Sequence, residues 1–248
     1  MKTIYSAQQG FTLIELAMVL FILGLLLSSF LAPLAARVEQ QERNNTQIQL
    51  DEIEEVIYGY ALQNNYLPCP DCSDNTGGCA AATAGDGQED RTVGVCASEI
   101  GNLPWVTLGV KGTDEWNNIF TYRVDDVFAD SNTPASDGTP LQPGCAGISA
   151  TLNVSFSLCS DGEIIVLNTA GAGGGNLALN IPAIVVSHGK NWPTNPPASA
   201  DEIENTDPDI TFVSGDFSAN VVTGFDDMVI WISPHVLRTM SVKAGILP

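Results

Sequence analysis

The side chains that could do chemistry here are few: one carboxylate at the head of an apolar run, six cysteines, two histidines and clustered acids. Residues 16–36 carry no charge, a run longer than the ~18 residues that suffice for a membrane-spanning helix. Glu15 stands at its start. A carboxylate carried into hydrocarbon is expensive unless it finds a partner. A helix that only anchors has no use for one. The cysteines are Cys69, Cys72, Cys79, Cys96, Cys145 and Cys159. The Cys69-x-x-Cys72 spacing occurs in zinc and redox sites, but zinc would want a second close pair of Cys or His. The remaining cysteines are widely spaced and neither histidine is near. Disulfides are therefore expected. Our pairing is Cys69–Cys96 and Cys72–Cys79, tying down a long loop, with Cys145–Cys159 clipping two neighbouring strands.

Catalysis finds little support. His188 and His235 are the only near-neutral bases, and no Gly-x-Ser-x-Gly elbow accompanies them. His188 reads as a solvated turn residue and His235 as a helix-start residue. Adjacent Asp226 and Asp227 read as a solvated edge or a metal clip rather than a glycosidase pair. Residues 171–176 are Gly-rich but lack the Lys and Ser/Thr of a phosphate loop. Asp71, Asp74, Asp86, Glu89 and Asp90, broken by Gly85 and Gly87, form an oxygen-rich loop of a kind that can hold calcium, although the spacing is not that of an EF-hand. No cofactor is required, and no enzyme is expected.

Charge narrows the partners. Twenty-nine acids against nine bases leave a formal charge of −20. Nucleic-acid binding is excluded, because phosphate contacts need clustered Lys and Arg. Lys2 is the one charge before Glu15, which suits a short cytoplasmic segment and places the downstream chain outside the cytoplasm. A conventional secretory signal would have a short apolar core and a small-x-small cut site. Residues 32–36 supply small side chains, but the run is too long and carries Glu15.

The elements that position these groups follow from periodicity. A helix starts at residue 11. Gly24 and Pro33 interrupt it, either as a simple kink or as a segment that can lose helical structure. Beyond Arg37, Leu50, Ile53, Ile57, Tyr60 and Ala61 recur every three or four residues, an amphipathic stripe made to pack on a sheet. Pro68 ends the helix near Asn65. Residues 67–101 and 129–147 read as loops, and 193–209 as an acidic, Pro-rich loop. Strands are expected at 119–124, 151–158, 163–167, 181–187, 210–213 and 228–232, with a hairpin turn at Asp161-Gly162. The last is expected to be buried on both faces. A short helix over 235–242 closes the chain. The fold class is α+β: a long N-terminal helical spine, transmembrane in its first half, on an antiparallel sheet, loop-rich and disulfide-stapled.

Gly10-Phe11-Thr12-Leu13-Ile14-Glu15, followed by Leu16-Ala17-Met18-Val19-Leu20, resembles the processing signal of type IV pilins and of the pseudopilins of type II secretion. The resemblance covers about 25 residues, and its cut site, glutamate and apolar run occur together. It implies a pilin-like fold and cleavage after Gly10 by a prepilin peptidase that then methylates Phe11. It also implies pairing of Glu15 with the Phe11 amine of a neighbouring subunit. The organisation implied is a leader over 1–10, a membrane and filament-core helix over 11–36, the amphipathic half of the spine over 37–66 and an α+β domain outside the cytoplasm over 67–248. The protein would be a filament subunit anchored in the bacterial inner membrane, partnered by other pilin or pseudopilin subunits and an assembly platform. The alternative is a minor subunit whose exposed loops recognise a surface or substrate. Residues 114–118 (Asp-Glu-Trp-Asn-Asn) resemble the Asp-x-Trp-Gly-Asn-Pro-Tyr stretch of major pseudopilins, with Asn117-Asn118 in place of Gly-Asn and no following proline. The late acids Asp207, Asp209, Asp226 and Asp227 resemble the region where major pseudopilins hold calcium.

Overall fold

The computed structural model describes residues 10, 12–73, 79, 84–131, 154–171, 173–192, 199–218 and 224–248, with the backbone alone for 27–35. The architecture is α+β and opens with α1 (Leu13–Asn64), a helix of 52 residues. It runs unbroken through Gly24 and Pro33. A glycine costs a helix about 1 kcal/mol and a proline about 3 kcal/mol, which long helical flanks can absorb. Asn65 ends it in the left-handed conformation at φ 68°, a place where Asn is tolerated.

Two compact units divide the chain, Met1–Asn44 and Asn45–Pro248. In the first, every large apolar side chain described from Leu13 to Leu26 is exposed. Among the described residues no helix is long and apolar enough to cross a membrane. The uncharged run 16–36 includes 27–35, whose side chains lie outside that description.

In the second unit, Leu50, Ile53, Ile57 and Ala61 of the stripe are buried, while Tyr60 is only partly buried against the core. They join Leu67, Leu103, Phe120, Tyr122, Phe128, Phe156 and Leu237 in the main core. Full burial of each large apolar side chain is worth roughly 1.5–3 kcal/mol. One sheet has the order β3 (Ile100–Asn102), β4 (Thr121–Val124), β7 (Ala183–Ser187), β9 (Met228–Trp231), all antiparallel. Strand β7 is buried on both faces. Ala183 and Val185 face the main core, while Ile184 and Val186 face a second core with Ile164, Val166, Ile181 and Phe212.

The second sheet has the order β6 (Asn176–Ile181), β5 (Ile164–Leu167), β8 (Thr211–Val213). Here β5 pairs antiparallel with β6 and parallel with β8. This sheet is therefore mixed. The expected strand 181–187 is divided between the two sheets at Pro182, whose missing N–H cannot continue a ladder. The expected hairpin across Asp161-Gly162 is replaced by β5–β6, joined through the Gly-rich turn. Residues 154–158 form no strand. Their backbone is held elsewhere: Ser155 N–H donates to the Asn65 carbonyl at 3.0 Å and Ser155 Oγ to the Val127 carbonyl at 2.7 Å. Strand β9 is only partly buried, because it is an edge strand.

Two of the expected loops carry short elements: the hairpin β1 (Arg91–Thr92) and β2 (Val95–Cys96) in the first, and α4 (Ala200–Glu204) in the acidic one. Two further short helices, α2 (Trp105–Leu108) and α3 (Asp126–Ala129), flank β4. The terminal helix is α5 (Pro234–Lys243), with Ser233 Oγ accepting from Val236 N–H. Disulfides join Cys69 to Cys96 and Cys72 to Cys79. Cys159 is also disulfide-bonded. Its expected partner, Cys145, lies outside the described residues.

Candidate functional site: the N-terminal segment and an acidic cluster

Helix α1 begins on a capping box. Thr12 Oγ1 accepts the Glu15 N–H at 3.3 Å, and the Glu15 carboxylate accepts the Thr12 N–H at 3.0 Å and its hydroxyl at 2.9 Å. Thr-x-x-Glu places the acid at the third helical position, where it satisfies a donor the helix leaves free. The signature stands in the sequence as Thr12-Leu13-Ile14-Glu15 and escaped our sequence reading. Gly10 is exposed, and Phe11 lies outside the described residues.

The acidic loop after α1 spends its carboxylates on backbone donors. Asp71 accepts the Gly85 and Gly87 N–H groups at 2.9 and 3.1 Å. Asp90 accepts the Cys72 N–H at 2.9 Å. Glu89 accepts the Cys69 N–H at 3.0 Å, the Tyr60 hydroxyl at 2.9 Å and Arg91 at 3.0 Å. Asp74 lies outside the described residues. A loop without a core of its own is held by these bonds and the two disulfides.

A second set of acids converges on one point. Glu202 on α4 meets Asp226 and Asp227 at the entry to β9, and one oxygen of each lies within 4.8 Å of the others. Asn191 Nδ2 donates to both Glu202 oxygens at 3.1 Å, and Asp226 N–H to Oε1 at 3.0 Å. Asp226 Oδ2 accepts the Lys190 N–H at 2.9 Å, whereas Oδ1 is buried with no hydrogen-bond partner. Asp227 Oδ2 accepts Asn205 Nδ2 at 2.7 Å. Burial pushes Asp226 up to about 6, with Glu202 adding repulsion. Burial likewise holds Asp227 well above the usual carboxylate range, helped by the charges of Glu202 and Asp226. Three hard oxygens, mutual repulsion and one orphaned lone-pair atom fit a divalent cation. Gly189, at φ 64°, lets the turn approach Asp226; a Cβ there would lie 2.6 Å from its carboxyl.

Of the four late acids named from the sequence, the structure brings Asp226 and Asp227 together. Asp207 and Asp209 are exposed and stand outside the cluster; Asp209 accepts the Thr211 N–H at 2.7 Å. Glu202 was missed, because a 24-residue separation leaves no local signal. His188 is not a solvated turn residue: it is buried, its Nε2 lies 2.8 Å from Thr121 Oγ1, and its ring packs on Trp192. Burial lowers its pKa to about 4, so the imidazole is neutral. His235 is exposed on α5. Asn117, standing where the resembling stretch has glycine, takes φ 66°. The aspartate of that stretch, Asp114, is buried and accepts from Asn118 N–H at 2.9 Å and Ser187 Oγ at 2.8 Å. It therefore serves as a structural clasp.

Residues 5–31 match the prokaryotic N-terminal methylation motif, the signature of type IV pilins and pseudopilins. The motif covers the N-terminal segment alone, and it supports a pilin-like or pseudopilin-like precursor with a structural role. No curated protein and no solved structure matches the chain.

Proposed function

We propose that this protein is a structural subunit of a type IV pilus or secretion pseudopilus. It is made as an inner-membrane precursor with its C-terminal unit in the periplasm. A prepilin peptidase cuts it after Gly10 and methylates Phe11. Assembly buries the 11–36 helices of successive subunits against one another, guided by an inner-membrane platform. The observation that carries this reading is the methylation motif over residues 5–31, joined to a helix whose described apolar side chains have no cover within the chain. Apolar surface on that scale needs lipid or another subunit.

Glu15 has two jobs in this account. In the single chain it caps α1 through Thr12. In the filament its charge pairs with a neighbouring Phe11 amine, which satisfies it away from water. Glutamine can also close a capping box, so two variants separate the jobs. Glu15→Ala and Glu15→Gln should both be cleaved and methylated normally. Both should lose filaments by at least about tenfold, a factor worth about 1.4 kcal/mol per subunit addition, read by electron microscopy of sheared fractions. Wild-type filament yield in Glu15→Gln would reduce the residue to a helix cap.

Glu202, Asp226 and Asp227 would hold a calcium ion in the C-terminal unit. The ion would neutralise their repulsion and tie α4 to the entry of β9.

A further inference from the structure

A groove of about 510 Å³ opens on the C-terminal unit beside the β3 edge. That volume falls within the ~300–1,000 Å³ of small-molecule sites. In a chain of charge −20, none of the described residues lining it is charged. Asn102, Asn117, Asn118, Thr121, Thr206 and Trp192 supply its polar and aromatic surface, and Ile100 and Ile119 its apolar strip.

Two features narrow the occupant. First, the β3 edge has no free backbone for an added strand. Ile100 N–H donates to Ser98 Oγ at 3.3 Å, and that hydroxyl donates to the Ile100 carbonyl at 2.7 Å. Asn102 exchanges both backbone bonds with Asp71, at 2.7 and 3.0 Å. An extended peptide pairing through its main chain therefore finds no ladder. Second, Trp192 is braced. Its ring packs on buried, neutral His188 at 4.9 Å between centroids, and His188 is fixed in turn by Thr121. Asn117 is held in its left-handed conformation at the lip.

We infer that this groove binds a neutral saccharide, an uncharged sugar or short glycan. A pyranose has an apolar C–H face that stacks on an indole, and hydroxyls that both donate and accept. Asn118 Nδ2 donates to the Gly189 carbonyl and Asn102 Nδ2 to Asp71 Oδ2 at 3.4 Å, so the Asn117 carboxamide and the amide oxygens of Asn102 and Asn118 are the groups that match those hydroxyls. Anionic sugars gain nothing from an uncharged lining on a strongly acidic protein. The inference stands apart from the filament reading, because the groove lies wholly within the C-terminal unit.

The test uses the full chain in a zwitterionic detergent free of sugar headgroups. Cellobiose, lactose and N,N′-diacetylchitobiose are the probes, followed by saturation-transfer NMR and tryptophan fluorescence. At least one should bind saturably at about 1 mM or tighter. Trp192→Ala and Asn117→Ala should each weaken it at least about tenfold, while Trp192→Phe, which keeps a stacking ring, should retain most of the affinity. Gly10→Val, which blocks processing, should leave binding unchanged. Three results would each overturn the inference: no saturation transfer to any of the three sugars, equal binding by wild type and both alanine variants, or occupation of the groove by tetraglycine in their place.

Discussion

The two halves of α1 belong to one continuous helix and are used oppositely. From Leu13 to Leu26 its large apolar side chains are all exposed; from Leu50 to Ala61 the apolar stripe is sealed. One helix thus carries a surface finished within the chain and a surface left for something else. The finished half joins a core that includes Leu67, Phe120, Phe156 and Leu237. The unfinished half offers the chain nothing but length and a capped start. In the proposed reading its cover is lipid before assembly and other copies after it, and the methylation motif supports that reading.

Alanine substitutions break or keep this contrast most strongly. Ile57→Ala empties a fully buried site and should cost about 2–5 kcal/mol of unfolding free energy. Leu20→Ala, at an exposed position, should leave the melting temperature of the C-terminal unit unchanged in detergent while weakening filaments. Equal thermal effects of the two would erase the distinction between the halves.

A second contrast lies in how the C-terminal unit treats its acids, and pH reads it. Asp125 caps α3 through the Val127 N–H at 3.0 Å and accepts the Glu163 N–H at 2.7 Å, yet burial raises it from 3.8 to about 6. The folded state therefore holds the proton more tightly than the unfolded chain. Its contribution is complete below 3.8 and is lost as pH rises through about 6, at most about 3 kcal/mol over the window. Melting temperature should rise on acidification from neutral towards pH 4, and Asp125→Asn should flatten the rise. An unchanged slope in that variant would assign it to other carboxyls.

Calcium gives the smallest expected effect. At tenfold excess over its dissociation constant it should stabilise the protein by about 1.4 kcal/mol, reversed by chelator and abolished in Glu202→Gln. The same response in Glu202→Gln as in wild type would move the ion to another set of acids.

What the sequence disclosed depended on distance along the chain. The stripe Leu50, Ile53, Ile57 and Ala61 was legible because helical periodicity is local, and so was the apolar run that became β7. The capping box is equally local, since Thr12 and Glu15 stand three residues apart. The sheet pairing was not legible: β5 has β6 on one side and parallel β8 on the other, a choice made by the second core around Phe212. Residues 154–158 have the alternation of a strand, but the Ser155 backbone N–H goes to Asn65 and its hydroxyl to Val127, partners no local pattern announces. Glu202 meets Asp226 and Asp227 only once α4 and β9 are in place. His188 looked solvated between Ser187 and Gly189, and the burial that makes it a brace for Trp192 is tertiary.

The central claim concerns ten residues that should be missing. Intact-mass and N-terminal peptide spectrometry of the protein recovered from membranes that contain a prepilin peptidase tests it directly. The account predicts a chain that begins at N-methylated Phe11, with Gly10→Val retaining Met1 to its full length. A mature terminus at any other residue, or an unmethylated Phe11 in otherwise normal filaments, would contradict it.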